Sequence, residues 1–170
     1  FDPPDAGTNK RVEVASNWFR DVLPDLKTRF SGRFIAKVGG AHSGYRVDGY
    51  DYLGFTIDHQ YLDQPDFRRL IKIQYEQIAE SARASGDISW MVGEAYFHHS
   101  DPSLDLDQPT KDFLRNMQEH YFDISLNEYI NFGSLPLPSG YVFIGYFMSG
   151  IEVKDSPSET IIQSYFAGMD

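Results

Sequence analysis

Apolar residues recur at intervals of three and four near the start of the chain, a spacing that predicts an α-helix over residues 10–23. The apolar residues at this spacing are Val14, Trp18, Val22 and Leu23, with Phe19 beside them. Pro24 follows the last apolar position and is expected to end the helix, because proline lacks the backbone N–H that another turn requires.

Three further stretches show the same helical spacing. The clearest follows Pro65, carries an unbroken apolar stripe on one face and charged residues on the others, and ends near Gly86. A third helix is predicted to start at Pro109, and a fourth covers residues 157–166. The chain is therefore expected to form about four helices.

Shorter apolar runs predict strands at residues 33–38, 45–58, 88–98 and 141–148. The second of these alternates between an apolar and a partly polar face, which predicts a sheet with one face in contact with solvent. The last two are apolar on both faces, a pattern typical of central strands. The segment 123–132 is ambiguous between helix and a further short strand.

A glycine-rich segment, residues 39–44, lies between the first two predicted strands and indicates a hairpin. Because hairpins and helical crossovers then occur together, the predicted fold class is α+β. We expect a mixed or mainly antiparallel sheet of about four to five strands covered by about four helices. Residues 1–9 are predicted to form a flexible N-terminal tail, which leaves residues 10–170 as a single domain.

The composition of the 170-residue chain narrows the classes of function. There is no cysteine, which excludes disulfides, thiolate metal sites and cysteine nucleophiles, and which favours a reducing compartment. No secretory leader is visible at the start, and no apolar run is long enough to cross a bilayer. We therefore expect a cytoplasmic protein that makes no membrane contact.

The net charge of −10 lies entirely in the second half of the chain. Residues 1–85 hold 12 basic and 12 acidic residues, whereas residues 86–170 hold 3 basic and 13 acidic residues. This distribution disfavours nucleic-acid binding and predicts a contact with a basic protein surface or with a second copy of the chain. The residues predicted to carry this contact are Asp101, Asp105, Asp107 and Asp112.

The strongest candidate for chemistry begins at Glu94. If Glu94 and His98 lie on one strand, their side chains point to the same face, and histidine and carboxylate are common metal ligands. The weak candidate metal ligands are therefore Glu94, His98 and His99, with Asp101 or His59 as a further donor. The HExxH spacing is absent, so no metal or other cofactor is predicted. Since its neighbours are core-like, Glu94 is either half of a structural ion pair or a group suited to acid–base catalysis.

Other motifs point to chemistry less strongly. The glycine-rich segment lacks a P-loop lysine and precedes a strand, which excludes P-loop and dinucleotide-binding fingerprints. His42-Ser43 and Asp58-His59 are not set in a nucleophile elbow. Basic residues near the first predicted hairpin are interleaved with aspartates, which weakens the case for binding a phosphate backbone.

These patterns together favour a non-catalytic, acidic protein-binding domain. Its composition resembles that of bacterial toxin-neutralising immunity proteins and of phage-encoded inhibitors, and an immunity protein or inhibitor is the most concrete expectation. The first alternative is a self-assembling structural or phage virion component. The second is a small metal-dependent hydrolase that uses Glu94 and His98.

Overall fold

The computed structural model describes residues 6–38, 43–57, 66–95, 107–144 and 153–167. The strands form one four-stranded sheet in the order β1-β2-β3-β4, and every neighbouring pair is parallel. None of the helices in these ranges is long and apolar enough to span a bilayer. The elements are α1 (Ala6–Arg29), β1 (Ile35–Val38), β2 (Tyr52–Ile57), α2 (Phe67–Ala84), β3 (Ser89–Ala95), α3 (Gln108–Ile130), β4 (Pro138–Ile144) and α4 (Pro157–Phe166).

The parallel sheet shows that the prediction of a mixed or mainly antiparallel sheet was wrong. In place of a hairpin, β1 and β2 run in the same direction, with Ile35 opposite Tyr52 and Val38 opposite Phe55. A parallel pair needs a crossover of about a dozen residues or more, which is usually a helix. Here residues 43–51 form an extended crossover without a helix, and the sequence pattern made them look like the start of an antiparallel strand.

One face of the sheet packs against the helices. Tyr75 of α2 lies over this face, with its ring centroid 6.1 Å from that of Phe55 and 5.5 Å from that of Trp90. Tyr129 of α3 covers Tyr141 of β4 in the same way, at 5.2 Å. The fully or nearly fully buried strand residues on this face are Ala36, Val38, Leu53, Phe55, Trp90 and Val92.

The helices and the extended crossover form one layer on that face. The crossover lies between α1 and α2, because the Val47 amide donates at 3.0 Å to Oγ of Ser85, the residue after α2, and the Arg46 amide donates to Ser16 Oγ of α1 at 3.1 Å. Next in the layer, α2 lies beside α3 and α3 beside α4. The layer therefore runs from α1 at one end to α4 at the other.

The opposite face of the sheet carries no layer among the described residues. Ile35 is 49% exposed there, and Met91 of β3 is only half-buried. The strand predicted to be central at 88–98 is β3, an interior strand of the sheet, although Met91 on its second face is half-buried and not fully buried. The strand predicted at 141–148 begins at Pro138 and forms an edge of the described sheet, so the prediction that it is central was wrong.

Two helices differ from their predicted bounds. Pro24 lies inside α1, because buried Leu23 anchors the turn before it and Lys27 Nζ donates to the Gly49 carbonyl at 3.0 Å after it. The ambiguous segment 123–132 is mostly helical and belongs to α3. Because α3 lies between α2 and α4, it buries residues on more than one side, and this hid its helical stripe. The fourth helix has its predicted bounds.

Candidate functional site

The carboxyl ends of the four strands lie along one edge of the sheet, because all four strands run in the same direction. Ligands of open parallel α/β sheets bind outside this edge, where the strand ends and the connections that follow them come together. The last residues of the four strands are Val38, Ile57, Ala95 and Ile144.

Glu94 is the penultimate residue of β3, one of the two interior strands, and therefore lies at this edge. Among the strand residues that the structure describes, it is the only acidic one. Its register partners are Ile57 of β2 and Phe143 of β4, both apolar. The fold thus sets one carboxylate-bearing residue among apolar strand ends at the edge where parallel sheets bind ligands.

The predicted metal-ligand set is not assembled within the described residues. His98, His99, Asp101 and His59 all lie outside them. In the part of the chain that the structure describes, no group of three or more histidine, aspartate or glutamate side chains is placed to hold a metal ion. The metal-dependent interpretation of Glu94 remains a prediction.

The structure describes two of the four aspartates that were predicted to contact a basic partner. Asp101 and Asp105 lie outside the described residues. Asp107 is exposed immediately before α3, and exposed Asp112 accepts a hydrogen bond from Gln108 Nε2 at 2.7 Å in the first turn. Both carboxylates also suit the positive end of the helix dipole, so their position has a structural as well as a functional explanation.

A second acidic feature, which the sequence did not reveal, lies where α3 meets the start of α4. Glu119, Asp155 and Glu159 line an open depression of about 730 Å³, here called the acidic groove. The Asp155 amide donates to Glu159 Oε2 at 2.6 Å, which holds the two acidic residues together. A hydrogen bond with Asp155 raises the pKa of the neighbouring Lys154 ammonium. Glu119 is far from the other two in sequence, so only the fold brings the groove together.

At the other end of the helix layer, α1 exposes an apolar and basic surface. Of the residues at helical spacing in this helix, Val14 is 58% exposed and Trp18 is 60% exposed, so both lie outside the core. With Lys10 and Arg11 they line a shallow depression of about 650 Å³, here called the α1 patch. The buried side of the helix is instead formed by Val12, Phe19 and Leu23.

One strong ion pair belongs to the fold and not to a site. Glu128 of α3 is buried, and its carboxylate accepts from Arg68 Nη1 at 2.5 Å and lies 3.4 Å from Lys72 Nζ. Both cations are on α2 and largely exposed. They neutralise a carboxylate that would otherwise be buried unpaired between two helices.

Comparison of the chain with models of protein families, with curated proteins and with solved structures finds no match. The features that bear on function are thus those of the chain itself. They are the carboxyl edge with Glu94, the uncovered sheet face, the acidic groove and the α1 patch.

Proposed function

We propose that the chain acts as a hydrolase of small molecules, with Glu94 at the carboxyl edge of the sheet as its general acid or base. The position of Glu94 carries this proposal: it is the one carboxylate among the described strand residues, and it lies one residue from the end of an interior strand. An antiparallel sheet has no common carboxyl edge. The parallel direction therefore favours a ligand site more strongly than the sequence pattern did.

The register places Glu94 between two apolar residues, Ile57 of β2 and Phe143 of β4. A positioned carboxyl group that gives or takes a proton accelerates hydrolysis by about 100- to 10,000-fold. The cysteine-free composition supports a reducing location such as the cytoplasm.

The Glu94→Gln variant tests this proposal, because glutamine keeps the size of the side chain and removes its acid–base function. We expect the wild-type chain to hydrolyse at least one of a panel of p-nitrophenyl esters, phosphates and glycosides. We expect kcat to fall about 100-fold or more in Glu94→Gln, with an unchanged circular dichroism spectrum. Glu13→Gln, on the exposed surface of α1, is the matched control and should keep full activity.

Two results would contradict the role of Glu94: no turnover of any probe by the wild-type chain, or equal turnover by Glu94→Gln. Dialysis against EDTA separates the metal-dependent alternative from a metal-free reaction. Loss of activity on dialysis, with recovery on addition of Zn²⁺ or Mn²⁺, would assign Glu94 to a metal site, with a ligand such as His98.

An acidic protein-binding domain, such as an immunity protein or inhibitor, is the second candidate function. It is supported by the exposed positions of Asp107 and Asp112 and by the acidic groove. Acidic side chains on a surface speed association with a basic partner, and salt screens this effect over about 8 Å at physiological ionic strength.

Charge reversal at α3 tests this second function. With the basic protein cytochrome c as probe, we expect Asp107→Lys/Asp112→Lys to weaken association about tenfold at low salt, and the difference to vanish at high salt. Asp21→Lys/Asp25→Lys on α1 makes the same change in net charge and is the control. Equal weakening by both variants would show that only net charge matters, and the proposed surface would then be wrong.

A further inference from the structure

The described parts of the three connections between strands lie on one face of the sheet. The strand order follows the chain order, and right-handed crossovers in such a sheet all fall on the same side. The layer of α1, the extended crossover, α2, α3 and α4 covers that side. Parallel sheets are ordinarily buried on both faces, so the other face lacks a partner within the described part of the chain.

The uncovered face carries apolar side chains and one exposed basic side chain, Lys37 of β1. Ile35 lies over Gly54, with its Cγ2 atom 3.0 Å from the place that a Cβ atom on this glycine would take. Met91 lies over Gly140 in the same way, with its Cε atom 2.5 Å from the corresponding place. The Ile35 and Met91 side chains thus occupy the space above the two glycines. Tyr52 adds a half-buried aromatic ring, with the Arg33 guanidinium carbon 5.7 Å from its centroid.

The two outer strands lack a neighbour on one side. Within the described residues, β1 pairs with β2 alone and β4 pairs with β3 alone. An outer strand presents a row of unpaired backbone N–H and C=O groups that readily pair with another chain. The sheet therefore has three surfaces open to a partner: one face and two edges.

The helix layer ends in surfaces of opposite charge. The α1 patch lies at the β1 side of the layer and combines Lys10 and Arg11 with apolar Val14 and Trp18. The acidic groove lies at the other end, where α3 meets α4. Such a molecule is complementary to itself when the α4 end of one copy meets the α1 end of the next.

We propose that two copies of this chain close into one parallel barrel, in which β4 of each copy lies beside β1 of the other. Two four-stranded sheets with helices on one face supply the eight strands and the outer ring of helices of a closed parallel barrel. A twofold axis along the barrel keeps all strands parallel and creates two identical β4–β1 contacts.

This twofold operation thus gives the uncovered face and both edge strands a partner. It pairs both edge strands, turns the uncovered face into the barrel interior, and brings each acidic groove to the α1 end of the partner. The interior of an eight-stranded barrel is filled by side chains, and those of Ile35, Tyr52 and Met91 would contribute to it. Lys37 is the penultimate residue of β1, so it would lie near the carboxyl end of the barrel interior. The proposed hydrolase site at the carboxyl edge does not depend on this closure.

Sedimentation velocity tests the closure, with variants that change only exposed positions. We expect the wild-type chain to sediment with twice the mass of one chain, and Ile35→Asp to sediment as a folded monomer, because it puts a charge into the barrel interior. Phe113→Asp is the matched control: Phe113 is 60% exposed on α3 and not on the uncovered sheet face, so this variant should remain a dimer. A monomeric wild-type chain at every concentration tested, or a dimeric Ile35→Asp, overturns the proposal.

Charge reversal tests which ends of the layer meet. Lys10→Glu/Arg11→Glu and Glu119→Lys/Glu159→Lys should each raise the dimer Kd about tenfold, and the combination of all four changes should restore it. An additive loss in the combined variant overturns the pairing of these two ends.

Cross-linking tests the order of the strands directly, since the chain has no cysteine of its own. We would mix Lys37→Cys (β1) with Ser139→Cys (β4) and treat the mixture with a short bismaleimide. Proximity of β4 to the partner's β1 predicts a covalent dimer from the mixture and little from either variant alone. No enrichment in the mixture overturns the proposal.

Discussion

Val92→Asp is expected to leave the chain unfolded. Val92 is fully buried in interior strand β3, between Phe55 of β2 and Tyr141 of β4. A carboxylate there would have no basic partner, and burying an unpaired charge costs several kcal/mol, comparable to the whole stability of a domain, which is about 5–15 kcal/mol. We expect loss of the native far-UV circular dichroism signal and of dispersed amide resonances.

The neighbouring residue provides the control for this prediction. Met91 follows the opposite side of the same strand and is half-buried on the uncovered face. Met91→Asp should therefore fold, with a loss of about 1 kcal/mol that is typical of a partly exposed position. If both variants unfolded, the second face would be buried in the monomer, and the one-sided sheet would be wrong.

Trp90→Ala is expected to lower the free energy of unfolding by about 3–5 kcal/mol, because it removes a fully buried aromatic side chain from the centre of the core. The Trp90 ring centroid lies 5.7 Å from that of Phe55, 5.5 Å from Tyr75 and 5.2 Å from Phe132. Its Nε1 atom donates to the Pro136 carbonyl at 2.7 Å, so the alanine variant also leaves a buried acceptor unpaired.

Urea unfolding followed by circular dichroism measures this loss. The only other tryptophan is Trp18, which is 60% exposed, and Trp18→Ala should change stability by about 0.5 kcal/mol or less. Trp90→Phe should fall between the two, since it keeps most of the apolar area and loses the hydrogen bond to Pro136. Equal losses for Trp90→Ala and Trp18→Ala would contradict the placement of Trp90 in the core.

The sequence predicted the bounds of a helix well wherever that helix buries a single apolar stripe. This holds for α2 and for α4, whose bounds agree with the predicted 157–166. The prediction was incomplete for α3, whose second half stayed ambiguous because helices pack on two sides of it, and for α1, whose apolar residues divide between the core and the exposed α1 patch. Periodicity identifies apolar residues but does not distinguish a core contact from an exposed apolar surface.

The direction of the strands could not be predicted for a different reason. Parallel and antiparallel strands have similar local patterns, and the usual sign of a parallel pair is a helix between the strands. The crossover at 43–51 has no helix; its backbone is held by serine side chains in α1 and directly after α2, which are distant in sequence. A parallel sheet that is covered on only one face is also rare. An apolar strand pattern therefore predicts burial on both faces.

The candidate site was predictable in part. Glu94 was notable from sequence because it is a carboxylate within an apolar strand, but its place at a common carboxyl edge required the strand direction. The acidic groove joins Glu119 to Asp155 and Glu159 through the packing of α3 on α4, and no local pattern predicts such a contact.

The carboxyl-edge site and the uncovered face both depend on the direction of the strands. A single measurement can test that direction. Backbone nuclear Overhauser effects between β1 and β2 report which residues are opposite each other. A parallel pair predicts contacts of Ile35 with Tyr52 and of Val38 with Phe55. Contacts of Ile35 with Phe55 and of Val38 with Tyr52 would reveal a hairpin, and would contradict both the fold and the proposed site.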